Sequence, residues 1–239
     1  VRTNEAVVEV GWNYVVTDRG SKVKWDYLVL ATGASPVIPS IPIEGDHVFT
    51  IHHPADAVRL REILESVSTV GIIGTGYIGL EVAEAFRFRG KDVIMIGRSS
   101  YLLRKSLDED VGKIVTDELI KYGVKLRLNE KPLEINNRGN KQVIITDGGK
   151  YVVDAVIIAT GVKPNIELAR QLGLRIGETG AVWVDEHVRT SAENVYAAGD
   201  VAETRNLITG KPYWHPFGTT ANKMGFVAGS NIAGKPMIF

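Results

Sequence analysis

The sequence predicts an α/β protein with a doubly wound, three-layer fold, in which helices cover both faces of a mainly parallel sheet. Two observations carry this prediction. Residues 25–36 and residues 153–164 both contain an aspartate, an apolar run typical of a buried strand, and the motif Ala-Thr-Gly-x-x-Pro. Between these two copies, strand-like and helix-like patterns alternate around the glycine-rich segment 74–79. We therefore expect one structural unit to occur twice.

The first part of the chain predicts short antiparallel strands that lead into a buried one. Residues 7–10 and 14–17 have the composition of strands, and residues 22–26 alternate polar and apolar side chains with a period of two. The apolar run 27–30 follows directly and indicates the buried strand. Four prolines between residues 34 and 54 disrupt both helices and sheet ladders, so this segment is predicted to be a linker.

The central part predicts the parallel sheet. After a helix at about residues 55–65, strands at 69–73, 92–96 and 124–128 alternate with helices at 77–89 and 107–121. This order is the doubly wound, Rossmann-like pattern. A second antiparallel meander follows at residues 132–158, with Asp-Gly-Gly at its turn and a buried run at its end. The predicted domains are residues 1–54, 55–184 and 185–239, of which the first and last belong to one unit.

The composition argues against several function classes. The formal net charge is zero, which gives no reason to expect binding to nucleic acid or to an anionic membrane. No apolar run approaches the roughly 18 to 20 residues of a membrane span. The absence of cysteine excludes disulfides, thiolate metal sites and thiol nucleophiles from this chain. The adjacent His52 and His53 are expected in a solvated loop rather than on a metal, and the expected location is the cytoplasm.

The segment Gly-Thr-Gly-Tyr-Ile-Gly at residues 74–79 is the strongest chemical signal, because it lies between a predicted strand and a predicted helix. In such a fingerprint Gly74 permits the tight turn, Gly76 lets the backbone approach a diphosphate, and Gly79 lets the helix pack closely on the strand. The amide groups of Tyr77 and Ile78 open the helix, whose positive end favours an anion. The alternative is that the glycines serve only a helix turn.

The residues after the second parallel strand bear on the choice between NADH and NADPH. A site specific for NAD commonly has an acidic residue here for the ribose hydroxyls, but this chain has Gly97. Arg98 and Ser99 follow, and Arg104 comes six residues after Arg98, so guanidinium and hydroxyl groups are available for a ribose 2′-phosphate. We expect tolerance of, or preference for, NADPH. The alternative is that both arginines are ordinary solvated surface residues.

Three motifs in this order resemble the FAD-dependent pyridine nucleotide-disulfide oxidoreductases, namely residues 74–81, 159–165 and 194–201. Within that group, residues 171–181 and the stretches after residue 200 resemble coenzyme A disulfide reductases, also labelled NADH oxidases. The resemblance implies two cofactors, FAD and NAD(P)H. It also implies a fold with a complete NAD(P)H-binding domain and part of a second, homologous FAD-binding domain.

The resemblance assigns roles to residues of both copies. Ala31, Thr32 and Gly33 border the FAD, Gly199 and Asp200 bind its ribityl or pyrophosphate region, and Phe217, Gly218 and Thr219 begin a helix that faces the flavin. Thr160 and Gly161 line the nicotinamide side, Tyr77 covers the flavin, and Glu81 reaches toward the ring stack. Without the resemblance, Asp200 could be a turn or cap residue, Tyr77 a packing residue and Glu81 an exposed first-turn acid.

The repeat also predicts that the chain is part of a longer protein. The fingerprint lies 87 residues before Gly161, and counting the same distance back from Gly33 leaves the chain. A first fingerprint is therefore expected upstream of Val1. The resemblance places a redox cysteine in that missing region and a dimerisation domain after Phe239, so the parent is expected to be a homodimer and the isolated chain to be incomplete.

The implied reaction passes hydride from NAD(P)H to FAD and then electrons to a small-molecule disulfide, such as coenzyme A disulfide, or to oxygen. Two other functions remain open. One is a non-enzymatic module that binds NAD(P)H without flavin. The other is a flavoprotein reductase of a protein electron carrier, for which a basic docking surface would be expected and which the balanced charge does not support.

Overall fold

The computed structural model describes all 239 residues. The chain forms two compact units. Unit 1 comprises Val1–Ser35 with Lys163–Phe239, and unit 2 comprises Pro36–Val162. No helix of either unit combines the length and the apolar composition that crossing a bilayer requires.

The strands are β1 (Val7–Gly11), β2 (Tyr14–Thr17), β3 (Lys22–Lys24), β4 (Leu28–Leu30), β5 (Ala34–Pro36), β6 (Val48–Thr50), β7 (Thr69–Ile73), β8 (Asp92–Gly97), β9 (Lys125–Leu128), β10 (Pro132–Arg138), β11 (Lys141–Thr146), β12 (Lys150–Val153), β13 (Ala155–Ile158), β14 (Val162–Pro164), β15 (Val195–Ala197), β16 (Thr204–Arg205) and β17 (Pro212–Tyr213). The helices are α1 (Pro54–Ile63), α2 (Tyr77–Phe88), α3 (Glu109–Lys121), α4 (Glu167–Gln171) and α5 (Gly218–Ile232).

Unit 2 contains a five-stranded parallel sheet with the order β6-β13-β7-β8-β9. Its central strands are apolar along their length because both faces are covered, and Ile72, Met95 and Ile157 are completely buried. The helix α2 connects β7 to β8 and packs against both strands. The predicted three-layer, Rossmann-like α/β fold is confirmed.

The second meander of unit 2 is the antiparallel sheet β10-β11-β12. It packs closely on the parallel sheet, because a Cβ added to Gly71 of β7 would lie 2.4 Å from Ile144 Cδ1. Ile144 and Val153 of the meander are buried with Ile73 and Val156 of the parallel strands. The close approach at Gly71 therefore lets two sheets share one apolar layer.

The segment 34–54 contains regular structure, contrary to the prediction of a linker. Residues 48–50 form β6, which pairs with β13 through Val48 and Val156 and becomes the edge strand of the parallel sheet. The prolines of this segment do not interfere, because all of them lie outside Val48–Thr50. This pairing places residues 36–54 in unit 2, whereas the sequence placed the change of domain after residue 54.

Unit 1 repeats part of the same plan. The antiparallel meander β1-β2-β3 leads into β4, which pairs in parallel with β15 through Leu28 and Val195. Residues 163–184, assigned from the sequence to the nucleotide domain, lie in unit 1. The physical reason is that α4 contacts β1, where Gln171 accepts a hydrogen bond from the Val10 N–H at 2.9 Å. Where the chain passes between the units, β5 and β14 form a two-stranded sheet.

Candidate functional site

The carboxyl ends of the parallel strands of unit 2 lie at one edge of the sheet, which is where open α/β sheets bind ligands. The structure brings most of the predicted nucleotide residues to this edge. Gly74, Gly76, Tyr77, Ile78 and Gly79 follow β7, Arg98 and Ser99 follow Gly97 at the end of β8, and Thr160 and Gly161 follow β13. Arg104 lies in the next segment, which is held to the glycine loop because the Leu103 N–H donates to the Thr75 carbonyl at 2.9 Å.

Gly74 makes a turn that other residues would strain. Its φ is +126°, and an added Cβ would lie 2.0 Å from the carbonyl oxygen of Ala159. Its N–H donates to the Ile96 carbonyl at 2.9 Å, so the loop is tied to the neighbouring strand β8. Both the dihedral angle and the close contact require glycine here.

Gly76 and Gly79 have opposite surroundings. Gly76 is exposed, an added Cβ there would meet no atom within 4 Å, and it caps α2 without any side-chain hydrogen bond. Gly79 is buried, and an added Cβ would lie 2.5 Å from the Gly74 carbonyl oxygen. The helix thus starts directly on the loop, while the backbone at Gly76 is accessible to a ligand from outside.

Packing also favours glycine at position 97, which the sequence did not reveal. A Cβ at this position would lie 2.4 Å from Thr75 Cγ2, so the side chain of Thr75 occupies the space that an acidic residue would need. A larger residue at position 97 would therefore require the Thr75 side chain to move. Thr75 was not among the predicted site residues, and only its place inside the fingerprint could have indicated it.

Arg98 and Arg104 are both exposed at this edge, and neither forms an ion pair. Arg104 acts electrostatically on the carboxylate of Glu109. Lys113, which hydrogen-bonds to Glu109, holds the pKa of that carboxyl below its usual value, and the positive charge of Arg104 adds to the effect. Both guanidinium groups are thus available to an anionic group of a ligand, with Ser99 half-buried beside them.

Thr160 and Gly161 are used by the protein itself in a way that the sequence did not indicate. The Thr160 hydroxyl donates to the Val37 carbonyl, and the Gly161 carbonyl accepts from the Val37 N–H at 2.9 Å. Gly161 has a φ of +111° and is exposed. The proton of the Thr160 hydroxyl is therefore already used, and a ligand at this end of β13 would bind backbone groups instead.

Tyr77 and Glu81 occupy the first two turns of α2, and both are exposed, Tyr77 to 43%. Their side chains therefore project from the helix rather than fill the core of unit 2. The roles assigned to them concern a flavin, and these roles stay predictions.

Unit 1 has a corresponding edge where β4 and β15 end side by side, since the Ala198 N–H donates to the Leu30 carbonyl at 3.0 Å. Ala31, Thr32 and Gly33 follow β4, and Gly199 and Asp200 follow β15. The Thr32 hydroxyl donates to the Asn165 carbonyl at 2.7 Å, and Asn165 Nδ2 donates to the Thr32 carbonyl at 2.8 Å. The side chain of Thr32 is thus engaged within unit 1.

The start of α5 lies next to the segment that contains Asp200. Gly199 has a φ of +79°, and an added Cβ would lie 3.2 Å from Ala221 Cβ in the first turns of α5. Phe217 precedes the helix in an extended conformation without a side-chain cap, and Gly218 and Thr219 are exposed. The predicted flavin residues at β4, β15 and α5 are therefore neighbours in unit 1.

Two residues that the sequence did not indicate support this arrangement. Trp214 Nε1 donates to the carbonyl oxygen of Asp200 at 2.8 Å. His215 Nδ1 lies 2.9 Å from Thr220 Oγ1, and the His215 ring lies 4.2 Å from that of Phe217. The segment before α5 thus holds both the Asp200 backbone and the first turn of the helix.

The chain matches a known protein family over most of its length. The family model for pyridine nucleotide-disulphide oxidoreductases matches residues 1–219, which is most of the chain. The chain belongs to this family. One relative among the curated proteins is the NAD(P)H sulfur oxidoreductase (CoA-dependent) of Pyrococcus furiosus, which is 55% identical to this chain. The match covers 98% of this chain and 54% of the relative. The chain therefore spans about half the length of the curated relatives that it matches.

Two solved structures superpose on the whole chain. An NAD-dependent persulfide reductase from A. fulgidus has a TM-score of 0.95 and 38% identity, and the match covers 100% of this chain and 46% of that one. An engineered water-forming NADPH oxidase, bound to NADPH, has a TM-score of 0.93 and 29% identity, and the match covers 100% of this chain and 54% of that one. That enzyme is a mutant of a Lactobacillus brevis oxidase that was solved with NADH.

Proposed function

We propose that this chain is the nucleotide-binding part of a flavin-dependent NAD(P)H oxidoreductase. FAD, when bound, accepts a hydride from NAD(P)H and supplies two electrons to an acceptor. With a disulfide acceptor, NAD(P)H, one proton and the disulfide give NAD(P)⁺ and two thiols. The observation that carries the proposal is the geometry of Gly74, Gly76 and Gly79, in which turn, open backbone and close helix packing each occur at the position that a dinucleotide fingerprint requires.

For NAD(P)H, the residues of unit 2 have separate tasks. Gly76 lets the diphosphate approach the backbone, and the positive end of α2 stabilises the negative charge, together with the amides of Tyr77 and Ile78. The exposed backbone at Gly161 is proposed to line the nicotinamide side. The edge of the sheet thus accepts the dinucleotide along its length, from the end of β13 to the end of β8.

Arg98, Ser99 and Arg104 are proposed to bind the ribose 2′-phosphate of NADPH. The engineered NADPH oxidase provides support, because its substitutions introduce an arginine followed directly by a serine, with a second arginine six residues after the first. Arg98, Ser99 and Arg104 have the same spacing in this chain. Gly97 supports the same choice, since the acid that would bind the ribose hydroxyls of NADH is absent.

For FAD, unit 1 offers the strand ends after β4 and β15 and the start of α5. Asp200 is proposed to bind the ribityl or pyrophosphate region, with Gly199 beside it. Ala31, Thr32 and Gly33 are proposed to border the cofactor, and the uncapped start of α5 after Phe217 is proposed to face the flavin. Tyr77 is proposed to cover the flavin, and Glu81 to reach toward the ring stack.

The proposed acceptor is a small-molecule disulfide, such as coenzyme A disulfide, or oxygen. Support comes from the names of related proteins, which include a CoA-dependent sulfur oxidoreductase, a persulfide reductase and a water-forming oxidase. We also propose a cytoplasmic location and a homodimeric parent protein.

The first test measures nucleotide binding to the 239-residue chain by calorimetry. We expect Arg98→Ala and Arg104→Ala to weaken NADPH binding by about tenfold to a hundredfold and NADH binding by less than about twofold, because NADH lacks the phosphate. Arg138→Ala is the control, since Arg138 is an exposed arginine on β10. A wild-type chain that binds neither nucleotide would contradict the proposed function.

The second test concerns the flavin. We would record a visible absorption spectrum of the purified chain before and after adding FAD, and measure the intact mass of the same sample. A flavin band in a protein of the expected mass supports the FAD site of unit 1. A colourless chain that still binds NADPH would instead favour a module that binds NAD(P)H without flavin.

A further inference from the structure

A hydrogen-bonded network outside the predicted cofactor residues lies at the end of β9. The hydroxyl of Tyr151 lies 2.8 Å from both carboxylate oxygens of Glu130, and the hydroxyl of Thr146 donates to Glu130 Oε2 at 2.6 Å. Thr146 is only 6% exposed, and Glu130 and Tyr151 are half-buried. Hydrogen bonds to an ionised carboxylate are among the stronger ones in proteins, so Glu130 is held firmly.

This network is connected directly to the turn that carries Arg98. The Glu130 N–H donates to the Gly97 carbonyl at 3.1 Å, and the Asn129 N–H donates to the Ser99 carbonyl at 3.1 Å. The two residues after β9 thus hold the residues on either side of Arg98. Asn129 has a φ of +57°, in the left-handed region that asparagine adopts more readily than most other residues.

The other side of the network is fixed by the turn between β11 and β12. Thr146 Oγ1 accepts hydrogen bonds from the N–H groups of Gly148 and Gly149 at 3.1 and 3.0 Å. An added Cβ at Gly148 would lie 2.6 Å from Glu130 Cδ, so the turn closes directly on the carboxylate. The guanidinium of Arg127 lies 5.4 Å from the centroid of the Tyr151 ring.

The network also fixes the position of the negatively charged Glu130 carboxylate. If the Glu130 side chain were free to swing toward the Arg98 turn, its carboxylate would repel a phosphate bound there. Here two hydroxyl donors retain it against the meander. Burial and the hydrogen bond to Glu130 raise the pKa of Tyr151, so its hydroxyl stays protonated and continues to donate at neutral pH.

We propose that Glu130, Tyr151 and Thr146 are positioning residues for the choice of nucleotide. They hold the Arg98–Ser99 turn in the geometry that receives the ribose 2′-phosphate, and they keep the Glu130 carboxylate away from that phosphate. This inference rests on the proposed function, since it requires that Arg98 meets the phosphate. A purely structural network would change stability and the binding of both nucleotides together, whereas a positioning role changes the ratio of NADPH to NADH affinity.

The test removes one hydroxyl at a time and measures the dissociation constants of NADPH and NADH, with the thermal unfolding midpoint of each variant. We expect Tyr151→Phe to weaken NADPH binding by about fivefold and NADH binding by less than about twofold, because the loss of one hydrogen bond to a charged group loosens the turn only in part. Tyr122→Phe is the control, since Tyr122 is 67% exposed and its hydroxyl lies outside the network.

A second pair of variants covers the case in which Tyr151→Phe prevents folding. Thr146→Val is expected to lower the NADPH to NADH affinity ratio, and Thr146→Ser, which keeps the hydroxyl, is expected to retain it. If Arg98→Ala leaves this ratio unchanged, the phosphate site and the inference both fail. If Arg98→Ala lowers the ratio while Tyr151→Phe and Thr146→Val do not, the inference alone is overturned.

Discussion

Thr32 and Thr160, which are 128 positions apart, make equivalent hydrogen bonds within their own units. Thr32 donates to the carbonyl of Asn165, and Thr160 donates to the carbonyl of Val37, two acceptors that are also 128 positions apart. The N–H groups of these acceptors complete the pattern by donating to Gly33 and Gly161 at 3.0 and 2.9 Å. The sequence repeat therefore extends to single hydrogen bonds, and it gives the threonine of both Ala-Thr-Gly motifs a structural role.

Removing either threonine hydroxyl should reduce stability. We expect Thr32→Val and Thr160→Val each to lower the free energy of unfolding by about 1 kcal/mol, the usual net contribution of such a bond. The measurement is thermal or urea unfolding. Thr32→Ser and Thr160→Ser keep the hydroxyl and are the controls. Unchanged stability in both valine variants would show that these bonds contribute nothing to folding.

Substitutions of the first two glycines of the fingerprint should affect different properties. A change at Gly74 should reduce folding stability, and a change at Gly76 should reduce nucleotide binding. Gly74→Ala places a methyl group against the Ala159 carbonyl at a positive φ, and we expect a loss of roughly 3 kcal/mol or more in unfolding free energy. Gly76→Ala meets no atom, so stability should change by less than about 1 kcal/mol while NADPH affinity falls strongly. Calorimetric binding and thermal unfolding on the same samples check both. Normal NADPH binding by Gly76→Ala would argue against the diphosphate position.

Asp154 should make the protein less stable in acid. Burial opposes its ionisation, but Lys141 and the N–H groups of Thr69 and Ser68 outweigh this effect and hold its pKa below the ordinary value. Ionised Asp154 therefore stabilises the folded state above the unfolded pKa of about 3.9, and this contribution is lost as the pH falls from about 4 through the folded pKa.

Asp154→Asn tests this dependence. The variant should lose about 1 to 3 kcal/mol at pH 7, because the buried hydrogen bonds weaken, and should show a smaller loss of stability between about pH 4 and pH 2 than the wild type. Unfolding midpoints across that range are the measurement. Asp117→Asn, which alters an exposed carboxylate on α3, should retain the wild-type dependence. An identical acid profile for both variants would exclude Asp154 as the cause.

Trp214 should affect FAD but not NADPH. Trp214→Phe removes the N–H that donates to the Asp200 carbonyl and keeps an aromatic ring, so we expect FAD affinity to fall by about threefold to tenfold, the effect of one lost hydrogen bond. Flavin absorbance and calorimetry measure this. Trp12→Phe is the control, because Trp12 is exposed on the surface of unit 1. Equal loss of NADPH affinity would indicate a general defect instead.

Sequence patterns predicted the central elements of unit 2 well. The buried strands β7, β8 and β13 and the helix α2 are marked by apolar runs and by the glycine fingerprint, which are local signals. The edge strand β6 was missed, because Val48–Thr50 is short and lies among prolines, and it is a strand only through its pairing with β13. The change of unit at residue 36 follows from that pairing.

The sequence predicted those features of the candidate site that depend on residues close together in the chain. The tight turn at Gly74, the open backbone at Gly76 and the close helix packing at Gly79 follow from the spacing of these glycines and from the strand and helix that flank them. The contact of Thr75 with Gly97, the bond from Trp214 to Asp200 and the network around Glu130 were not predictable. Each joins residues from different elements, and no single-sequence pattern records such a distance.

The contact between Thr75 and Gly97 affects which substitutions fit at either position. Any side chain at position 97, including that of an acidic residue, would place its Cβ 2.4 Å from Thr75 Cγ2, so the Thr75 side chain would have to shift. A residue at position 75 without a Cγ2 methyl group, such as alanine, would make room for that Cβ, whereas threonine must change its side-chain rotamer. The two positions are therefore coupled through packing, so that the residue present at one of them affects how readily a substitution at the other is accommodated.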